Sequence, residues 1–247
     1  MTGDARLWEA QRWLLAATDA GSESSLCKPV LAVMPVDGVS VSLLTGTMNH
    51  TTLCASDPVA AMLDALQFDL GEGPCWQALD RGHPVLVPDV RGGDHSSWPH
   101  FGAGARESGA GSMFAFPLSV DDLDIGALDV YRLVPGLLPD SAMADGLALA
   151  DTLAQVIVRR LAHSNEHSDG DPEKWEFSDA SSRQEIHLAT EMLTGQLDTD
   201  TDGAFAMLRA HAFSSARPVI EVARDVISQR LHFDGRTEPT GSAPATS

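Results

Sequence analysis

The side chains in this chain that are best suited to chemistry are the arginines of residues 183–233: Arg183, Arg209, Arg217, Arg224 and Arg230. A guanidinium group contacts phosphate oxygens and base edges, and it stacks on exposed bases. The same segment carries seven acids, at Glu185, Glu191, Asp198, Asp200, Asp202, Glu221 and Asp225. Any nucleic-acid binding there must therefore come from a local arrangement of arginines and not from bulk positive charge.

A second candidate for chemistry is Cys75, which follows Gly73-Pro74 at the predicted start of a short helix. The helix dipole at such a position lowers a thiol pKa, which would suit a redox sensor. A buried structural cysteine is the interpretation that we favour. Haem binding through one of His83, His95 and His100 is a weaker alternative, and these three histidines do not have zinc-like spacing.

Composition limits the remaining function classes. The chain has 247 residues, 16 basic against 35 acidic side chains and a formal net charge of -19. The sequence has no run of eighteen apolar residues and therefore predicts no transmembrane helix, and the N-terminus is a poor signal peptide. Cys27, Cys54 and Cys75 are odd in number, which favours reduced thiols and a cytoplasmic location. Known catalytic motifs such as G-x-S-x-G and the P-loop are missing, so we expect no enzyme.

Residue periodicity divides the first two thirds of the chain into helices and strands. Asp57-Pro58 predicts a capped helix start. The order fits one antiparallel sheet with helices on one side, followed by a long apolar helix. The predicted elements are helix 7–17, strands 39–43 and 51–56, helices 59–68 and 76–80, strand 85–87, helix 98–108, strands 113–120 and 123–133, and helix 141–163.

The C-terminal part predicts three short helices that share one small core. The first covers 183–197, the second begins near Asp202 with Thr201 or Asp200 as its cap, and the third begins at Pro218. Such a small core predicts a dimer partner or support from a preceding helix. Residues 163–182 are polar and acidic, which predicts a linker, and 235–247 predict a disordered tail.

The spacing within these three helices matches a family pattern: Ala189, Ala204-Phe205, Leu208-Arg209, Ala212 and Val222-Ala223-Arg224-Asp225-Val226. The segment thereby resembles the ANTAR domain, the RNA-binding output module of bacterial transcription antiterminators. The resemblance implies binding to an RNA with two adjacent short hairpin loops. One departure is Glu191, which stands where the family usually has glycine.

The resemblance makes four arginines the candidate RNA contacts: Arg209, Arg217, Arg224 and Arg183. For Arg224, an ion pair within its own helix or across a dimer is an equal alternative. The other family positions are at core spacing, which indicates packing as their main role. They are Ala189, Phe205, Leu208 and Ala212.

The preceding region resembles the GAF domain, in the variety fused to ANTAR modules in actinobacteria. The residues that carry this resemblance are Leu70 to Cys75, Trp98-Pro99-x-Phe101, Phe116-Pro117-Leu118 and Gly126 to Tyr131. The resemblance implies a pocket between the sheet and the inserted helices, although a dimerisation domain without ligand fits equally well. The candidate lining residues are Cys75, Trp76, Trp98, Phe101 and Phe116.

Together these observations predict an α+β GAF-like domain, an antiparallel sheet flanked by helices, followed by an all-α ANTAR-like domain. The expected boundaries are an N-terminal helix at 1–23, the GAF-like domain at 24–162, the acidic linker at 163–182, the ANTAR-like domain at 183–234 and the tail at 235–247. We expect a cytoplasmic homodimer, with helix 141–163 as a contact, that binds hairpin RNA and needs no cofactor. The alternative is a protein-interaction regulator that has lost RNA binding; a redox or haem sensor is a weaker one.

Overall fold

The computed structural model describes residues 3–16, 24–45, 49–121, 123–167, 180–197, 199–215, 217 and 219–233. The chain divides into two compact units, Met1–Ala180 and Ser181–Ser247.

The described strands of the first unit are β1 Gly38–Thr45, β2 Asn49–Ala55, β3 Val85–Val87, β4 Ser112–Val120 and β5 Leu123–Arg132. They form one antiparallel sheet with the order β2-β1-β5-β4-β3, which confirms the predicted antiparallel sheet. Strands β1 and β2 form one hairpin, and β4 and β5 form another.

The described helices of this unit are α1 Gly3–Ala16, α2 Ser24–Val33, α3 Pro58–Leu70, α4 Pro74–Arg81, α5 Pro99–Ala105 and α6 Asp140–His167. The sequence did not predict α2, because Pro29 lies inside it and serines form its start. The cap of α3 is confirmed: the Asp57 carboxylate accepts hydrogen bonds from the backbone N–H groups of Val59 and Ala60.

Helices cover both faces of the sheet, and the expectation of helices on one side only was wrong. On one face α2 and α6 pack against the strands, and α1 packs on α2 and α6. On the other face lie α3 and α4, and α5 packs on α3. Strands β1, β4 and β5 are therefore buried on both sides, and the serines that alternate with valines in β1, Ser40 and Ser42, are buried as well.

A bulge in the β1–β2 hairpin places two successive residues of β2 in the same core. Val41 pairs with Cys54 and Ser42 with Thr52, so Leu53 is the extra residue, and both Leu53 and Cys54 join the core under α2. There Cys54 forms a disulfide with Cys27 of α2, with a Cα–Cα separation of 6.0 Å. The expectation of three reduced thiols was therefore wrong.

Helix α6 is the core helix that the sequence predicted as a long apolar segment. Within the described residues, Asp140–Ala162 is the one stretch long and apolar enough to cross a membrane, and 50% of it is buried inside the protein. Helix α6 packs on β4, and this packing accounts for its apolar residues. The contact is close at Gly146, which lies directly against the Phe116 ring.

The described residues of the second unit form three helices: α7 Ala180–Leu197, α8 Thr201–Ser214 and α9 Val219–Ile227. The Asp200 carboxylate accepts a hydrogen bond from Gly203 N–H, which confirms one of the two predicted caps. Both ends of the predicted linker are helical, because α6 continues to His167 and α7 begins at Ala180. Residues 168–179, Pro218 and the predicted tail lie outside the described residues.

The cap of α3 generates a stability prediction. We expect Asp57→Ala to lower the free energy of unfolding by about 1–2 kcal/mol, because two N-terminal amides of α3 lose their acceptor. Asp57 also accepts a hydrogen bond from the Tyr131 hydroxyl. Asp57→Asn is the matched control, since asparagine caps helices about as well. Urea denaturation measures both variants, and an equal loss in both would contradict the capping role.

Candidate functional site

The side chains at the family positions of the second unit form its core. Ala189, Phe205, Leu208 and Ala212 are each at most 3% exposed, and Val222 and Ala223 of α9 are fully buried. The Phe205 ring is thus unavailable for stacking on an RNA base while the bundle is folded.

Arg209 lies at the surface of this core. Its side chain is half-buried, and its guanidinium carbon is 5.7 Å from the centroid of the Phe205 ring. An arginine that rests on an aromatic ring keeps part of its planar group oriented, so it loses less conformational freedom when it binds a phosphate or a base edge.

The other candidate arginines with described side chains are paired with acids of the same unit. Arg217 contacts Asp225 at 2.7 Å and Glu221 at 3.3 Å. Arg224 of α9 contacts Glu185 of α7 at 2.6 Å, so its ion pair joins two helices of the unit and is neither within α9 nor across a dimer. These carboxylates compete with any phosphate for the guanidinium groups.

Two further charged positions of interest belong to α7. Arg183 belongs to α7, but its side chain lies outside the described residues. Glu191 is 61% exposed, with His187 at 3.2 Å one helical turn before it. The carboxylate at the unusual Glu191 position therefore projects from α7 into solvent.

In the first unit, the sheet face under α3 and α4 carries a buried polar cluster. Asp64 of α3 accepts hydrogen bonds from the Ser42 and Thr52 hydroxyls, and His50 Nε2 lies 3.1 Å from it. Burial alone raises the pKa of Asp64, but His50 and the two hydroxyl donors outweigh it, so the pKa lies below its ordinary value. The carboxylate of Asp64 is thus held in its charged form.

Asp129 of β5 lies in the same face but has the opposite electrostatics. It accepts a hydrogen bond from Gln67 Nε2, while its Oδ1 has no hydrogen-bond partner within the described parts of the chain. Burial, followed by the nearby Asp64 charge, raises the pKa of Asp129 to about 8. At neutral pH this buried side chain is a neutral carboxylic acid.

Gln67 connects the cluster to the start of α4. Its Oε1 accepts a hydrogen bond from Cys75 N–H, and its backbone carbonyl accepts one from Trp76 Nε1. Burial and the neighbouring Asp129 and Asp64 charges raise the pKa of the Cys75 thiol well above its ordinary value. Cys75 is thus a buried thiol, in agreement with the structural interpretation that the sequence favoured; the redox alternative loses support, because desolvation outweighs the helix dipole.

Two family models match the chain: a GAF domain over residues 14–158, which is more than half of the sequence, and an ANTAR domain over residues 178–227. The chain belongs to the GAF domain family. Its C-terminal unit is an ANTAR domain, so the protein joins a sensory domain to an RNA-binding antitermination domain. No curated protein matches it in sequence.

Several solved structures are similar to the GAF domain at low identity. The GAF domain of a phosphoenolpyruvate-protein phosphotransferase from Coxiella burnetii is 18% identical, with 65% of this chain and 98% of that chain covered and a TM-score of 0.49. The corresponding Acinetobacter domain is 17% identical, with 64% of this chain and 97% of that chain covered and a TM-score of 0.47. Free methionine-R-sulfoxide reductase from Neisseria meningitidis is 18% identical, with 64% of this chain and 89% of that chain covered and a TM-score of 0.47.

The five candidate pocket residues of the GAF domain do not form one site. Cys75 and Trp76 lie beside the polar cluster, whereas Trp98 and Phe101 belong to a separate apolar core under α3 and α5. Phe116 lies on the opposite face of the sheet, in the core of α2 and α6, so its assignment to the pocket was wrong. Residues of β4 alternate between faces, and Phe116 shares its face with Phe114.

Sequence reasoning missed the polar side chains of the GAF domain that lie under α3 and α4. Asp64 and Gln67 are one helical turn apart in an otherwise apolar stretch of α3, and Asp129 interrupts the apolar run of β5. Polar residues at core-facing positions were the available signal. Among the described residues, no group of three or more His, Cys, Asp or Glu side chains is placed to hold a metal ion.

The raised pKa of Asp129 generates a pH prediction. Between about pH 4 and pH 8 the folded protein keeps this proton while the unfolded chain, with an ordinary pKa of 3.8, releases it. The folded state therefore binds more protons, and its stability falls as pH rises through this window. We expect Asp129→Asn, which mimics the neutral acid, to remove this fall and to gain a few kcal/mol relative to wild type at pH 8.

Urea denaturation at pH 5, 6, 7 and 8 measures this difference for wild type and Asp129→Asn. Asp124→Asn is a matched control, because the Asp124 side chain is exposed on the same strand. If the free energies of unfolding of wild type and Asp129→Asn change equally with pH across the four values, that result would contradict a buried neutral Asp129.

Proposed function

We propose that this protein is a cytoplasmic, signal-responsive antitermination regulator that binds hairpin-containing nascent RNA through its ANTAR domain. The GAF domain receives a signal or holds a homodimer, with α6 as one contact. The observation that carries the RNA proposal is the position of Arg209. It lies at the surface of a bundle that matches the ANTAR family, and its guanidinium rests on the buried Phe205 ring. Recognition of splayed loop bases depends on such planar cationic groups.

Arg209 is the arginine to test first, because it stands at a family position and its guanidinium lies over the Phe205 ring, which keeps the planar group oriented. Arg217 and Arg224 are held by acids of their own domain. An RNA phosphate competes with these carboxylates for the two guanidinium groups.

We expect Arg209→Ala to weaken binding to a two-hairpin RNA by about 10- to 100-fold, because one charged, oriented contact is lost. Filter binding at several salt concentrations measures the affinity, and the salt dependence should also decrease. The control is Arg230→Ala, which removes an arginine that is 69% exposed and paired with Asp225. Equal losses in both variants would show that only overall charge matters.

A second function is favoured by the ion pairs of Arg217 and Arg224. If the domain's own acids hold these arginines permanently, the bundle is an interaction module for a protein partner and has lost RNA binding. The same filter-binding experiment separates the two functions. Wild type that fails to bind two-hairpin RNA even at low salt leaves only the protein-interaction function.

Glu191 provides a test in the opposite direction. We expect Glu191→Gln to tighten RNA binding by about two- to fivefold at low salt, because one exposed negative charge near the RNA is removed. Glu9→Gln on α1 of the GAF domain is the matched control, and it should leave the affinity unchanged. Unchanged affinity in Glu191→Gln would place this face of α7 away from the RNA.

A further inference from the structure

We propose that Cys27 and Cys54 form a reversible redox site, a dithiol–disulfide pair that controls how firmly α2 is held against the sheet. Its oxidant is a low-molecular-weight disulfide such as oxidised glutathione. The inference rests on the placement of the pair within the GAF domain and does not depend on RNA binding.

The pair joins two elements that are otherwise far apart in sequence. Cys27 lies in α2 and Cys54 in the edge strand β2, and 27 residues separate them. The side chains are 2% and 6% exposed, inside the core formed with α1 and α6. A disulfide here closes a loop and removes conformations from the unfolded ensemble and from partly open forms.

Helix α2 is the element whose stability depends most on this link. It is ten residues long, and Pro29 within it has no backbone N–H to donate to the preceding turn. A helix of that length is marginal without tertiary contacts. Its contacts with α1, β1, β2 and α6 and its covalent bond to β2 therefore hold it in place.

The reduced form is also compatible with this core. Cys27 Sγ lies 3.5 Å from the Val39 carbonyl oxygen, so a free thiol has an acceptor there. Cys54 is surrounded by apolar side chains, where a thiol behaves as a small hydrophobic group. Both oxidation states are thus compatible with the folded domain. In this respect the pair differs from a structural disulfide that the domain needs in order to fold.

The chemistry is two-step thiol–disulfide exchange. One protein thiolate attacks a sulfur of the external disulfide, which forms a mixed disulfide and releases one small thiolate. The second protein thiolate attacks the protein sulfur of this mixed disulfide, forms the Cys27–Cys54 bond and releases the second small thiolate. The dithiol loses two electrons, the external disulfide gains them, and the two thiol protons end on the released thiols or in solvent.

Access to the buried sulfurs requires α2 to move away from β2, since neither side chain reaches the surface. Oxidation therefore takes place in conformations with α2 open, and the new bond closes them. In a reducing compartment, a disulfide of this kind is transient and responds to the surrounding thiol pool.

The test uses the full-length wild-type protein, reduced and then incubated with oxidised glutathione. We expect three thiols in denaturant before treatment and one after it, because Cys75 is the remaining cysteine. Peptide mapping should show a Cys27–Cys54 link, and excess reduced glutathione should reverse it. A link that never forms, or that resists reduced glutathione in the folded protein, would overturn the proposal.

Hydrogen exchange then measures the effect on α2 in the two forms of wild type. We expect the α2 amides to exchange roughly 10- to 100-fold more slowly in the oxidised protein, with no change in α4 on the other face of the sheet. Cys75→Ala should respond as wild type does, and Cys54→Ser should lose the difference. Equal exchange of α2 in both wild-type forms refutes the proposal without any variant.

Discussion

The structure depends on a sheet that is buried on both faces. One face is apolar and supports α2 and α6, while the other carries polar side chains under α3 and α4. A buried polar group without a partner is costly, so the hydroxyls of β1 and β2 converge on Asp64, and Gln67 joins β5 to α4. These hydrogen bonds fix the positions of α3 and α4, and with them the geometry of any sensory function on that face.

Local patterns of sequence were sufficient where a structure depends on near neighbours. The cap at Asp57 and the core stripe through Phe205 and Leu208 were predictable, because capping and helical periodicity are short-range properties. The face occupied by Phe116 was not, since β4 is apolar on both sides and shows no alternation. Helix α2 was hidden by Pro29, because only tertiary contacts sustain it.

Long-range pairs account for most of what the sequence did not reveal about the candidate sites. Arg224 and Glu185 are 39 residues apart, and only the folding of the bundle brings them together. The excess of acids in the composition was a correct general signal, because Arg217, Arg224 and Arg230 are each paired with an acid of the ANTAR domain.

The bulge in β2 has a consequence for how this fold can change by insertion and deletion. Deleting Leu53 would leave Val41 paired with Cys54 and Ser42 paired with Thr52, now as consecutive regular pairs. Cys54 would therefore still meet Cys27, and His50 and Thr52 would still meet Asp64. If Leu53 instead paired with Ser42 and the bulge were lost, His50 and Thr52 would turn to the face of α2 and leave Asp64. A strand of this length thus needs the bulge to keep the disulfide on one face of the sheet and the polar cluster on the other.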